Sequence, residues 1–219
     1  STHDNQLGSA LGIMMYYGLG DVQNATDQAV AAHTVELVVD VQYDGRGDSV
    51  VNTFVGSADA YDPTAPMQPP IEGTNDGPYV KASGSDMPIV IAPFGVATPV
   101  VLHDAHVELF AGPASLTAII GGGLDPEFAT GTLMMQWRDV VQAIVDRDCS
   151  RLAQDYPCLT GTPGETAISY FDPDRDCTIT LDELANGYIV PGVLDPDMKV
   201  DGEPMLSFGF GIDAERLPD

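Results

Sequence analysis

Apolar residues return at every second position in segment after segment of this chain, a rhythm that strands satisfy and helices do not. In "HTVELVVDVQYD", Val35, Leu37, Val39, Val41 and Tyr43 share one parity, while Glu36, Asp40 and Gln42 take the other. Successive side chains of a strand point to opposite faces, so such a segment turns its first set inward and its second set out. "SVVNTFVG" follows after a short turn and predicts a hairpin. "MPIVIAPF", "TPVVLHDAHVELF" and "SLTAIIGG" continue the β reading, and "LSFGFGID" closes it with Leu206, Phe208, Phe210 and Ile212 on one parity. The opening "ALGIMMYYGLG" reads the same way, because Leu11, Ile13, Met15, Tyr17 and Leu19 alternate with mostly smaller residues.

The period changes once. After Asp125-Pro126-Glu127, a helix-start signal, Leu133, Trp137, Val140, Val141 and Ile144 recur at three- and four-residue intervals, which predicts a helix over about 126–148 with a break at Gly131. A second, short helix is expected from Leu181. Residues 56–88 are rich in Pro, Gly, Ser, Asp and Asn and read as a long loop or insertion with at most one short strand around "YVKA". The expected fold is mainly β, a β-sandwich or barrel-like body, α+β overall, with a helical, cysteine-bearing segment at 125–190 before the last strand. One domain over 1–219 is expected.

Charge narrows the partners. The chain carries 33 acidic against eight basic residues, a formal net charge of -25. A surface of that sign repels nucleic acid and anionic membrane and attracts cations; it also suits a salt-rich medium in which self-repulsion is screened. No run of 18 apolar residues exists, so no transmembrane segment is expected. The three cysteines, Cys149, Cys158 and Cys177, all fall in the helical segment without zinc-type spacing, which predicts one disulfide and one remaining thiol. Cys158–Cys177 is the favoured pair, because the enclosed segment is short and Gly-bearing enough to fold back. A disulfide implies an oxidising compartment, hence a secreted, periplasmic or cell-surface protein.

The chemistry is concentrated in "FDPDRDCTITLDEL". Counting from Asp172, the residues Asp172, Asp174, Asp176, Thr178 (through its carbonyl), Thr180 and Glu183 occupy positions 1, 3, 5, 7, 9 and 12 of a calcium loop, the spacing that offers oxygen ligands to a hard cation. Ile179 stands at position 8, where an apolar residue turns to the core. These twelve residues resemble EF-hand and dockerin-type calcium loops, and the resemblance implies bound Ca²⁺ with Glu183 as a bidentate ligand. Position 6 departs from the pattern. Gly serves the sharp turn there in such loops, and here it is Cys177, which predicts a strained backbone. The competing reading is that "TLDE" from Thr180 to Glu183 is a capping box opening the last helix, with the other acids merely solvated. The run "CTITLDELANGYIVPGVLDPDMKVDGEPMLSFGFGI" also resembles the C-terminal part of uncharacterised secreted lipoproteins of deltaproteobacteria, a family that carries no known activity.

Other constellations carry less. "DPDMKVDGEP" from Asp195 lacks a position-12 Glu and reads as a turn. "GRGDS" at 45–49 fits the tip of the first hairpin on turn chemistry alone. His103 and His106, three apart on a strand, are expected on opposite faces, with His103 in the core. Ser1-Thr2-His3 has the groups for Cu²⁺, and Asn24-Ala25-Thr26 is a glycosylation sequon. No serine-hydrolase, nucleotide-loop, zinc-protease or cysteine-nucleophile motif occurs, so an enzyme is not the leading expectation. The leading one is a calcium-binding β-rich protein with a structural, adhesive or assembly role; its N-terminal strand is expected to be an ordinary first strand of its own domain, with pairing to copies of itself as a donor strand the alternative. The alternatives are a carbohydrate-type β-sandwich, which needs exposed aromatic rings, and a carboxylate hydrolase.

Overall fold

A computed structural model describes residues 5–43, 46–62, 64, 69–150, 158–187, 190 and 194–215. Its strands are β1 (Leu37–Tyr43), β2 (Asp48–Val55), β3 (Ile71–Asp76), β4 (Tyr79–Ile91), β5 (Thr98–Ala111), β6 (Ser115–Leu124), β7 (Met198–Val200) and β8 (Glu203–Glu215). All eight join one antiparallel sheet in the order β1-β2-β3-β4-β5-β6-β8-β7. The fold is therefore mainly β, with a helical, cysteine-bearing segment inserted before the last strands. The chain meanders through β6, leaves for the helices, and returns with β8 pairing β6 from Leu124↔Leu206 to Ser115↔Glu215.

Alternation explains the inward face. Met87, Ile89, Val100, Leu102, Val107, Leu109, Ile120 and Leu206 are buried together, and each such side chain removed from water contributes about 1.5–3 kcal/mol. The rhythm slips in two adjoining places. In β4 it does so at Gly84 (φ 101°), where the buried set changes from Val80 and Ala82 to Met87, Ile89 and Ile91. In β5 a bulge shifts the strand against both its neighbours between His103 and His106, with Asp104 in the left-handed region at φ 48°. Leu102 and Ala105 consequently both point to the core although three residues apart. His103 is not the core histidine that strict parity predicts. It lies on the outer side, its Nδ1 2.9 Å from Asp86, and the slip removes the argument that His103 and His106 must face opposite ways.

Three further expectations are corrected. Residues 10–20 are not a strand; α1 spans Gln6–Tyr16. Leu7, Ala10 and Met14 are buried at helical spacing, Leu11 packs beside them, and Tyr16, on the opposite side, is 83% exposed. The segment is apolar on nearly every side, so both periods fit it, and helix-forming Gln, Ala, Leu and Met with Asn5 capping the Gly8 N–H decided the outcome. A donor strand for self-pairing is thus not present there. Second, 56–88 is not one loop, since it contains β3 and most of β4, joined by a two-residue turn with Gly77 at φ 60°. Their outward residues are polar, which made half-buried strands read as loop. Third, the disulfide joins Cys149 to Cys158, not Cys158 to Cys177.

The helical segment packs as a second apolar cluster. After α2 (Val22–Ala31) come α3 (Pro126–Phe128), a π-turn over Ala129–Leu133 containing Gly131, α4 (Met134–Asp148), α5 (Pro163–Phe171) and α6 (Leu181–Asn186). Trp137, Val141, Val145, Phe171, Ile179 and Leu184 form its centre, and Leu11, Phe94 and Leu194 touch both clusters. No helix among the described residues is long and apolar enough to cross a membrane.

Candidate metal centre

The acidic loop is the link between α5 and α6. α5 starts where the Thr162 hydroxyl accepts the Glu165 N–H and Pro163 opens the first turn; it ends at the fully buried Phe171. α6 starts at Thr180 with a complete capping box. The Thr180 Oγ1 accepts the Glu183 N–H at 3.1 Å, and Glu183 Oε2 accepts the Thr180 N–H at 2.9 Å and its hydroxyl at 2.8 Å. Both helices present apolar sides to α4, so the intervening loop is held at both ends.

Within it, carboxylate oxygens of Asp172, Asp174 and Asp176 lie within 4.8 Å of one another. Asp172 is 1% exposed while the other two face solvent. Its oxygens accept the N–H groups of Asp176 (3.2 Å) and Cys177 (2.9 Å), and the Asp176 carboxylate accepts the Thr178 N–H at 2.7 Å. Burial pushes the Asp172 carboxyl above its ordinary range, Asp174 adds to the rise, and the backbone N–H groups offset part of it. Among the described residues no basic side chain forms an ion pair with any of the three. Glu183 is engaged in its capping box and stands outside the triad, as does Thr180.

Cys177 has φ 64°, the left-handed conformation expected of the sixth loop position, and Arg175 has φ 59°. No disulfide holds that turn; Cys177 is a buried thiol. What holds it is Gln142, on α4. The Gln142 amide donates to the Cys177 carbonyl at 3.1 Å, and its oxygen accepts the Ile179 N–H at 2.7 Å. Both ends of one side chain thus satisfy loop backbone groups that flank the strained turn, while Ile179 inserts into the helical cluster. Gln142 was not legible as a site residue, since nothing in its local sequence reports a contact 35 positions away.

The remaining expectations separate. Asp197 is committed to the Ser207 N–H at 2.7 Å and to its hydroxyl, and Asp201-Gly202 form the β7–β8 turn, both with positive φ. Asp48 and Ser49 of "GRGDS" belong to β2, with Ser49 buried, and Gly45 lies outside the described residues. Asn24 and Thr26 are on α2. Ser1-Thr2-His3 lies outside the described residues. Trp137 is 4% exposed, edge-on to Phe171 at 6.0 Å between ring centres.

No family model matches the chain, and no curated protein and no solved structure shows significant similarity to it.

Proposed function

We propose that this is a secreted or cell-surface calcium-binding protein in which the 172–183 loop, once loaded, locks the helical segment of a β-rich body used for a structural, adhesive or assembly role. The observation that carries this reading is the convergence of three carboxylates, one of them buried, with no basic side chain among the described residues paired to them. Three hard oxygens at that spacing suit Ca²⁺, which takes six to eight oxygen ligands. Asp172, Asp174 and Asp176 would hold the ion first, with the Thr178 carbonyl and water, and a bound cation would neutralise a carboxylate that burial otherwise penalises. The capping bonds of Thr180 use only Oε2 of Glu183, so Glu183 would become a bidentate ligand on giving them up. The Cys149–Cys158 disulfide favours an oxidising compartment, and the acidic surface favours cations. Burial of the single Trp weighs against a glycan platform.

The test is thermal unfolding in calcium, magnesium or EDTA. A site with Kd near 10⁻⁵ M in ~1 mM calcium adds roughly 2.7 kcal/mol, and magnesium substitutes poorly because it demands a strict octahedral shell. Asp172→Asn abolishes the calcium response while Asp195→Asn keeps it. Superimposable melts in calcium and EDTA would leave the loop as an acidic turn.

A further inference from the structure

Among the described residues the sheet does not close on itself. β1 lies at one end of the strand order and pairs only with β2 among the described residues. Gly56 N–H donates to the Glu36 carbonyl, so Glu36 and, by antiparallel alternation, residues 38, 40 and 42 direct their backbone groups to β2. Leu37, Val39 and Val41 therefore direct theirs to the open side. Along that side runs a trough of about 720 Å³, from Val30 and His33 at one end to Tyr43 at the other, floored by Ala111, Leu116 and Ala214 from the ends of β5, β6 and β8. Val30 and Tyr43 are exposed apolar residues at its two ends. Val39, Val41 and Leu116 pack on the sheet core, so the floor is apolar.

We infer that this trough receives an extended, basic peptide segment of a partner, added to β1 as a further antiparallel or parallel strand. An unpaired edge supplies the main-chain hydrogen bonds, and an alternating apolar side chain fits the floor. Charge selects the occupant. Glu36, Asp40 and Glu215 line the trough, and the chain carries a net -25, so a second copy of this protein is repelled while Lys or Arg on the strand's solvent face is attracted. Tyr61, Gln42 and Asn52 already hold the Asp40 carboxylate, while Glu36 has only the exposed His33 Nδ1 beside it at 3.0 Å, so Glu36 and Glu215 are the rim charges on which substitution is tested. This inference is independent of the metal loop.

The test titrates the full chain with labelled eight-residue peptides of alternating valine and lysine, at moderate salt, read by fluorescence anisotropy and by amide hydrogen exchange. Binding is expected with slowed exchange at Leu37, Val39 and Val41. A valine–glutamate twin is expected to bind at least about tenfold more weakly, a twin N-methylated at alternate amides to lose binding, and Glu36→Lys to weaken the valine–lysine peptide several-fold. Equal binding of the N-methylated twin would reduce the effect to charge alone and overturn the added strand. Equal binding of the acidic twin, protection outside β1, no binding at all, or self-association through β1 in sedimentation would each overturn the proposal.

Discussion

Cys177 shows how a single position is shaped by its surroundings. A non-Gly residue in the left-handed region costs roughly 1–2 kcal/mol, and the loop tolerates it because Asp172 accepts its N–H, Gln142 binds its carbonyl and its side chain is buried. Replacing Gln142 by Ala removes the partners of the Cys177 carbonyl and Ile179 N–H together. We expect a loss of about 2 kcal/mol from two unsatisfied part-buried groups, read as a lower urea midpoint with unchanged m. The loss should be smaller in saturating calcium if the ion orders the same loop. Glu183 separates two roles at one carboxylate. Glu183→Gln keeps the capping acceptor, so equal stability with and without calcium relative to wild type assigns Glu183 to the cap alone, whereas a drop in calcium affinity makes it a ligand.

The joint between α4 and α5 is fastened at the level of elements. The Cys149–Cys158 bridge closes a loop of sequence separation 9 at the end of α4; chain-entropy reasoning gives it about 2.5 kcal/mol. Reduction, or Cys149→Ser, should lower the unfolding midpoint by that order and leave the β4–β5 pairing in place. Beside the bridge, Asp148 accepts the Gly164 N–H at the start of α5 at 2.9 Å and is gripped by Arg147 through two nitrogens. The Arg147 guanidinium holds the Asp148 carboxyl below the usual carboxylate range against the opposing effect of burial, with the Gly164 N–H adding to the depression. A carboxyl lowered on folding contributes stability that is fully present above its unfolded pKa and is lost as the pH falls through the folded value. Asp148→Asn should therefore be less stable than wild type at pH 7 and converge with it in the acid limb, as followed by urea midpoints across pH.

For the whole molecule, two apolar clusters share Leu11, Phe94 and Leu194, and the acidic loop belongs to the helical one. Stripping calcium should speed amide exchange in α5 and α6 well before β4 and β5, since Phe171, Ile179 and Leu184 lean on the loop while the sheet core does not. Uniform acceleration would mean that the ion supports the sheet as well. The net charge of -25 predicts a second effect. Self-repulsion opposes the compact state and is screened beyond about 10 Å at ~0.1 M salt, so raising sodium chloride from low levels should raise the melting temperature even when calcium is saturating.

Alternating side chains made β1, β2, β5, β6 and β8 legible in the sequence, because a half-buried strand writes its two faces into neighbouring positions; spacing alone likewise marked α4, the α6 cap and the row of Asp172, Asp174 and Asp176. Contacts between distant positions left no such trace. The α1 segment is apolar enough for either period; its helix-forming residues and the Asn5 cap favour the helix, and packing on the sheet and helices adds to that choice. The bulge at Asp104 reverses the parity of everything before it in β5. The choice of Cys149 over Cys177 as the partner of Cys158 depends on where the end of α4 lies. Gln142 reaches the loop only because α4 and the α5–α6 link are packed together. Local pattern determined most of the strands, α4 and the row of acids; the tertiary structure completed the choice of helix for the opening segment and decided that 71–91 is two strands, which way residues face and what holds the loop, because those depend on neighbours that chain order does not reveal.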